Sequence, residues 1–199
     1  MKYPIVEIFS SIQGEGCNLG KPANFIRFAG CNLNCPWCDT EWNKPKLGVL
    51  SIDEILKQLD SKVPFVVLTG GEPTIQPQLA DLIQELYKAG YSVAMETNGT
   101  KATINLLMRF PDMWITCSPK PQMEWETAFG VVYNEIKYVV DGQFTKDRVA
   151  DTSKPIWLQP EGSNMQEAWK EALQIQRELL HCGLDVRIGV QLHKIMEVR

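Results

Sequence analysis

The chain opens with an alternating apolar and polar stretch, Tyr3 to Ile12, rich in β-formers, which predicts a strand ending at Gln13-Gly14-Glu15-Gly16. Asn24 to Ala29 predicts a second short strand, and Phe65 to Thr69 a buried one that stops at Gly70-Gly71. Ser51 and Glu54 form a capping box, followed by Ile52, Ile55, Leu56 and Leu59 at helical spacing. Leu79, Leu82, Ile83 and Leu86 share one face of a helix predicted over Pro77 to Ala89, with Gly90 as its stop. Further on, the pattern predicts strands over Tyr91–Thr97, Trp114–Cys117, Glu135–Val140, Pro155–Leu158 and Val186–Leu192. Helices fall over Ala102–Phe110, ended by Pro111, and from a cap at Ser163 with Gln166 to Cys182, with Gly183 after it.

Strands that alternate with helices predict parallel βα units, and six or seven strands are too few for an eight-fold barrel. An incomplete, open α/β barrel fits better. Parallel α/β folds place their sites at the carboxyl ends of the strands. Small, polar and charged clusters recur after nearly every strand, which predicts one functional rim. They are Gln13-Gly14-Glu15-Gly16, the cysteine loop after the second strand, Thr69 to Pro73, Glu96 to Gly99, Ser118-Pro119-Lys120, Gln159-Pro160-Glu161 and Gln191 to Lys194.

Composition narrows the setting. The 199 residues, 44% of them apolar, suit a compact single domain spanning residues 1–199. No apolar run reaches the roughly eighteen residues that span a bilayer, and Met1-Lys2-Tyr3-Pro4 leads straight into a strand, so neither a membrane nor a signal peptide is expected. A cytoplasmic location with reduced thiols follows. A net charge of −4 argues against nucleic acid as a partner.

The sharpest chemical signal is Cys31, Cys35 and Cys38, three of the 6 cysteines, spaced C-x3-C-x2-C. Thiolates favour zinc or iron–sulfur clusters. A closed structural site takes four ligands, yet Cys17, Cys117 and Cys182 are scattered singly and the 2 histidines, His181 and His193, lie far along the chain. Three clustered cysteines without a fourth suggest a [4Fe–4S] cluster with one open iron; a zinc knot or a disulfide turn is the plainer alternative.

This spacing resembles the signature of the radical S-adenosyl-L-methionine (SAM) enzymes, and Gly70-Gly71-Glu72-Pro73 resembles their GGEP motif. The resemblance implies a partial (β/α)6-type barrel and a cluster whose open iron chelates SAM. Reduction would then give a 5′-deoxyadenosyl radical, in a site that excludes water. It also implies SAM contacts from Trp37, Asp39, Gly71, Glu72, Asn98, Ser118, Pro119, Lys120 and Gln159. Three further segments narrow the likeness: Ser11 to Gly16, Phe25-Ile26-Arg27, and Gln191-Leu192-His193-Lys194. With Cys-Pro-Trp-Cys-Asp-Thr, they resemble the 7-carboxy-7-deazaguanine synthase family over nearly the whole chain.

That likeness implies contraction of a pterin, 6-carboxy-5,6,7,8-tetrahydropterin, to 7-carboxy-7-deazaguanine with loss of ammonia. It implies Mg2+ at Thr40, a homodimer, and a flavodoxin- or ferredoxin-type electron donor. Arg27 would pair with the pterin carboxylate, and Gln13 and Glu15 would read the aminopyrimidinone edge, with Ile12, Gly14, Thr69 and His193 completing the pocket. The competing expectations are an enzyme that activates a glycyl-radical protein and a non-catalytic iron–sulfur or zinc module. Neither has a use for a pterin clamp, and the module has none for the GGEP and Ser-Pro-Lys segments.

Overall fold

The computed structural model describes residues 1–38, 40–162 and 165–199, without the side chain of Met165. Among these residues nine strands form one sheet: β1 (Lys2–Ile12), β2 (Pro22–Phe28), β3 (Gly48–Ser51), β4 (Phe65–Gly70), β5 (Ser92–Thr97), β6 (Trp114–Cys117), β7 (Glu135–Val140), β8 (Ile156–Pro160) and β9 (Val186–Ile188). Their order is β3-β1-β2-β4-β5-β6-β7-β8-β9, an open sheet. From β2 onward all pairs are parallel, whereas β1 runs antiparallel to both of its neighbours.

Two expectations need correction here. Among the described residues there are nine strands rather than the six or seven counted for a partial barrel; the eight segments placed by the pattern all form, and the one extra strand, β3, lies at an edge. β3 is four residues long and takes its place only by pairing Gly48 to Ser51 with Ile5 to Lys2. The segment expected to close as a strand to Leu192 stops at Ile188 and turns into the helix α5 (Leu192–Ile195). This last segment bridges the open side of the sheet, since Leu192 N–H donates to Gly14 O at 2.9 Å while Gly189 N–H donates to Leu158 O at 2.8 Å.

The helices cover the outer face. The Ser51 capping box forms as predicted at the start of α1 (Ile52–Leu56), with Glu54 N–H to Ser51 Oγ at 3.3 Å and Ser51 N–H to Glu54 Oε2 at 2.7 Å. In α2 (Leu79–Lys88) the predicted face buries Leu79, Leu82, Ile83 and Leu86 against Ile26, Phe28, Leu68 and Met95. Each of those side chains contributes about 2 kcal/mol of burial. α3 is Ile104–Arg109 and α4 is Met165–Leu179. α4 covers Tyr138, Ile156 and Leu158 with Ala172, Ile175 and Leu179. Its expected cap, Ser163, lies outside the described residues.

Strand alternation then decides what faces inward. In β4, β5 and β7, Leu68, Met95 and Tyr138 belong to the outer cores, while their neighbours Thr69, Glu96 and Lys137 line a cavity inside the curve of the sheet. β2 follows the same rule, with Phe28 outside and Arg27 inside.

Candidate active site

The inner cavity holds about 500 Å3, within the size range usual for small-molecule sites. Its mouth is the cysteine loop. That loop leaves β2 at Gly30, a residue with φ of 90° whose N–H donates to Trp42 O at 2.9 Å. It is pinned across the carboxyl ends of the parallel strands. Asn98 Nδ2 donates to Asn32 Oδ1 at 3.0 Å, Gln122 Nε2 to Asn34 O at 3.0 Å, and Trp37 Nε1 to Asp141 Oδ2 at 2.9 Å. Lys120 Nζ lies 5.2 Å from the centre of the Trp37 ring.

Cys31, Cys35 and Cys38 all line this cavity as free thiols. Among the described residues, no three His, Cys, Asp or Glu side chains converge on a single-ion site. Each cysteine of an iron–sulfur cube binds a different iron, which suits three thiols ringing one opening. Burial raises the Cys31 and Cys35 thiols above their ordinary range. Cys17, at about 11, and Cys117, at about 12, are pushed up by burial and by the Glu135 and Glu72 carboxylates respectively, and remain thiols.

The two glycines of the GGEP segment have a packing role that the sequence reading did not give them. A Cβ on Gly71 would stand 1.8 Å from Gly30 O, and Gly70, with φ of 114°, would place one 2.4 Å from Phe28 N. Only glycines let the end of β4 lie against the root of the cysteine loop. Glu72, expected as a SAM contact, stands behind the wall of the cavity. It is fully buried, and its carboxylate accepts Thr74 N–H at 3.0 Å, Thr74 Oγ1 at 2.6 Å, Thr97 Oγ1 at 2.7 Å and Asn98 N–H at 2.7 Å. Pro119 is buried behind the rim and also leaves the wall. Asp39 lies outside the described residues. Trp37, Gly71, Asn98, Ser118, Lys120 and Gln159 do line the cavity.

Lys120 fits an anionic ligand. Its ammonium is buried, donates to the neutral Ser118 Oγ at 2.7 Å, and is lowered in pKa by that burial and by the nearby Lys137 charge. A buried cation with neutral partners is relieved by a carboxylate, such as the one SAM carries.

The floor is built differently. Because β1 is antiparallel, Ile12 pairs with Pro22 at the start of β2, so Gln13 to Gly16 enter from the amino ends of the parallel strands. The expectation of one shared rim is corrected accordingly: this cluster reaches the cavity from the opposite side. Gln13 Nε2 donates to Glu96 Oε1 at 3.1 Å, and Thr69 Oγ1 donates to Glu96 Oε2 at 3.0 Å. Glu15 forms an ion pair with Lys137 and accepts Gln191 Nε2 at 2.8 Å. Burial disfavours the Glu15 charge, but the Lys137 ammonium more than offsets it and holds the carboxyl well below its usual range. The His193 ring lies over Gly14, where a Cβ would come within 2.0 Å of Nδ1.

Arg27 stands on the wall between floor and mouth. Its Nε donates to Glu7 Oε1 at 2.8 Å and its Nη1 to Thr40 Oγ1 at 3.0 Å. Glu96 and Lys137 are the floor residues whose part the sequence reading missed, Glu96 having been noted as the start of the rim cluster Glu96 to Gly99. Lys137 and Glu135 were visible as two charges on one face of an otherwise apolar strand.

Known proteins place this arrangement. A family profile described as "Radical SAM superfamily" matches residues 25–118, from β2 to the end of β6. The 7-carboxy-7-deazaguanine synthase of Aquifex aeolicus is 37% identical, over 97% of this chain and 93% of its own. That of Bacteroides thetaiotaomicron is 37% identical over 100% of both. The crystal structure of QueE from Escherichia coli superposes with a TM-score of 0.73 at 30% identity, covering 96% of this chain and 95% of that one. A radical SAM profile across the middle of the chain, and a likeness that runs nearly the full length of both chains, place this protein in the 7-carboxy-7-deazaguanine synthase family.

Proposed function

We propose that the chain converts 6-carboxy-5,6,7,8-tetrahydropterin to 7-carboxy-7-deazaguanine, as a radical SAM lyase of deazapurine and queuosine biosynthesis. The observation that carries this reading is one cavity with three thiols at its mouth and a donor-reading floor of Gln13, Glu15 and Glu96 beneath them. Cys31, Cys35 and Cys38 would hold the [4Fe–4S] cluster, with Lys120, Ser118 and Asn98 beside SAM. When bound, cluster and SAM together supply the radical that removes a substrate hydrogen.

The chain's own residues do the rest. Glu15 and Glu96 accept paired N–H groups of an aminopyrimidinone. Arg27 offers five N–H donors; Glu7 and Thr40 each take one and so fix the plane of the fork toward a carboxylate. Gly14 brings its backbone under the His193 ring, and the 189–195 segment closes the side of the cavity against water.

Several finer assignments belong to the same proposal. Thr40 Oγ1 would give Mg2+ its protein ligand, since that cation keeps several waters and needs few others. A flavodoxin- or ferredoxin-type donor would reduce the cluster, and the working unit would be a homodimer in the cytoplasm, a setting that the 6 free cysteines suit. We take residues 1–199 as one domain, supported by the single continuous sheet. Anaerobic incubation with SAM, reductant and the carboxytetrahydropterin, followed by mass analysis, tests the reading. The expected product is 7-carboxy-7-deazaguanine; SAM cleavage with the pterin recovered intact would overturn it.

A further inference from the structure

β7 presents two charges to the inside of the sheet, and they are handled differently. Glu135 accepts only neutral donors: Cys17 N–H at 2.7 Å, Thr116 Oγ1 at 2.7 Å, Trp157 Nε1 at 2.7 Å and Trp114 Nε1 at 3.1 Å. It is spent on holding the loop after β1. Two residues on, Lys137 reaches the cavity and pairs with Glu15, the two side chains keeping only 12% and 14% of their exposure. The other Glu15 oxygen accepts Gln191 Nε2, and Glu96, the second floor carboxylate, lies close enough to help hold the Lys137 charge.

A carboxylate in a dry pocket recognises two adjacent N–H groups only while it is ionised and fixed in rotation. Left alone, burial would protonate it or let it turn. Gln191 fixes one oxygen but carries no charge; Lys137, in direct contact, does most to keep the carboxyl ionised, and His193 adds a smaller share. Resting on the pterin reading above, we propose that Lys137 is a positioning residue for substrate recognition. It holds Glu15 as a carboxylate in one orientation, so that the floor selects ligands presenting paired N–H donors over ligands presenting acceptors there. Lys120, nearer the mouth, feels the Glu15 charge but spends its hydrogen bond on Ser118 Oγ, at 2.7 Å.

The test is the anaerobic dissociation constant of 6-carboxy-5,6,7,8-tetrahydropterin for the reconstituted enzyme, read beside KM and kcat. Lys137→Met should raise the dissociation constant and KM about tenfold or more while kcat changes less than about threefold, the pattern of lost recognition rather than lost chemistry. Lys137→Arg, which keeps the charge, should recover most of the affinity. Because Lys137 acts through Glu15, the Glu15→Gln/Lys137→Met double variant should bind no worse than Glu15→Gln alone, within about twofold. Penalties that multiply, or a Lys137→Met enzyme that binds the pterin as tightly as wild type, overturn the proposal. Iron content checks the fold. Where Lys137→Met loses iron, Lys137→Arg and Lys137→Gln decide instead: equal dissociation constants overturn the proposal, and a rise confined to Lys137→Gln upholds it. Failure of the wild type itself to bind the carboxypterin would be failure of the pterin reading, a separate outcome.

Discussion

The mouth and the floor of the cavity solve opposite problems with opposite materials. The mouth is loop: two half-exposed thiols and one exposed one, on a segment held by hydrogen bonds from Asn98 to Asn32, from Gln122 to Asn34 and from Trp37 to Asp141. The floor is strand and buried charge, with Glu15, Lys137, Gln13 and Glu96 tying β1 to β5 and β7 across the inside of the sheet. A loop tolerates loading with a large inorganic group, and its neutral bonds can re-form around it. A floor that reads a ligand's N–H pattern has to be set before the ligand arrives, and a buried ion pair is rigid enough for that.

The largest expected effect separates the two regions outright. Replacing Cys35 or Cys38 by Ala should abolish turnover and reduce iron well below the four atoms per chain expected of a filled [4Fe–4S] cluster. The floor should still bind the carboxypterin with an affinity within about threefold of wild type, because no floor residue touches those thiols. Iron analysis and pterin binding on one sample check both halves. Loss of pterin binding along with the iron would show that mouth and floor are one unit.

Gly71→Ala attacks the joint between them. A Cβ 1.8 Å from Gly30 O forces β4 away from the root of the cysteine loop. The cost should be about 3 kcal/mol, or a fall in Tm of about 10 °C, seen in thermal unfolding under argon. Arg27→Ala acts on the wall instead. It should weaken carboxypterin binding about 30-fold, with most of the loss in KM; an unaltered dissociation constant would remove the clamp and leave Arg27 as the partner of Glu7.

How much of this was legible in the sequence follows the same division. The mouth was legible because its chemistry is local: C-x3-C-x2-C needs no fold to be read. The floor was not, because its pairs are remote. Glu15 meets Lys137 122 residues later in the chain, and nothing local in Glu135 to Val140 names that partner. The reversed course of β1 had a signal that the alternating pattern obscured. Only residues 13–21 separate Ile12 from Pro22, and a parallel crossover needs roughly a dozen residues or more. β3 had none, since Gly48 to Ser51 become a strand only by lying beside β1. The bracing role of Glu72 was hidden for a similar reason: its motif is local, but its partners Thr97 and Asn98 lie at the end of β5.

A gentler change at the mouth tests how loosely it is held. Asp141→Ala removes the acceptor of the Trp37 indole, an interaction worth about 1 kcal/mol. SAM affinity should fall about fivefold, while the carboxypterin dissociation constant stays within twofold. Equilibrium binding of each ligand to the reconstituted enzyme reads the difference.

The smallest effect probes the floor through pH. The Glu15 carboxyl is lower in the folded protein than its ordinary 4.5, because the Lys137 ammonium outweighs the burial that opposes it. A group depressed on folding stabilises the native state above its unfolded value, and that contribution is lost as pH falls toward its folded value. Wild type should therefore hold a constant stability margin over Glu15→Gln from pH 8 to pH 6. Below about pH 4.5 the margin should shrink by about 1 kcal/mol per pH unit. Running both proteins in parallel cancels the acid loss of the cluster, which is common to the two. A margin that widens in acid would mean that Glu15 is protonated in the native state, and the floor would then present a donor where the pterin edge requires an acceptor.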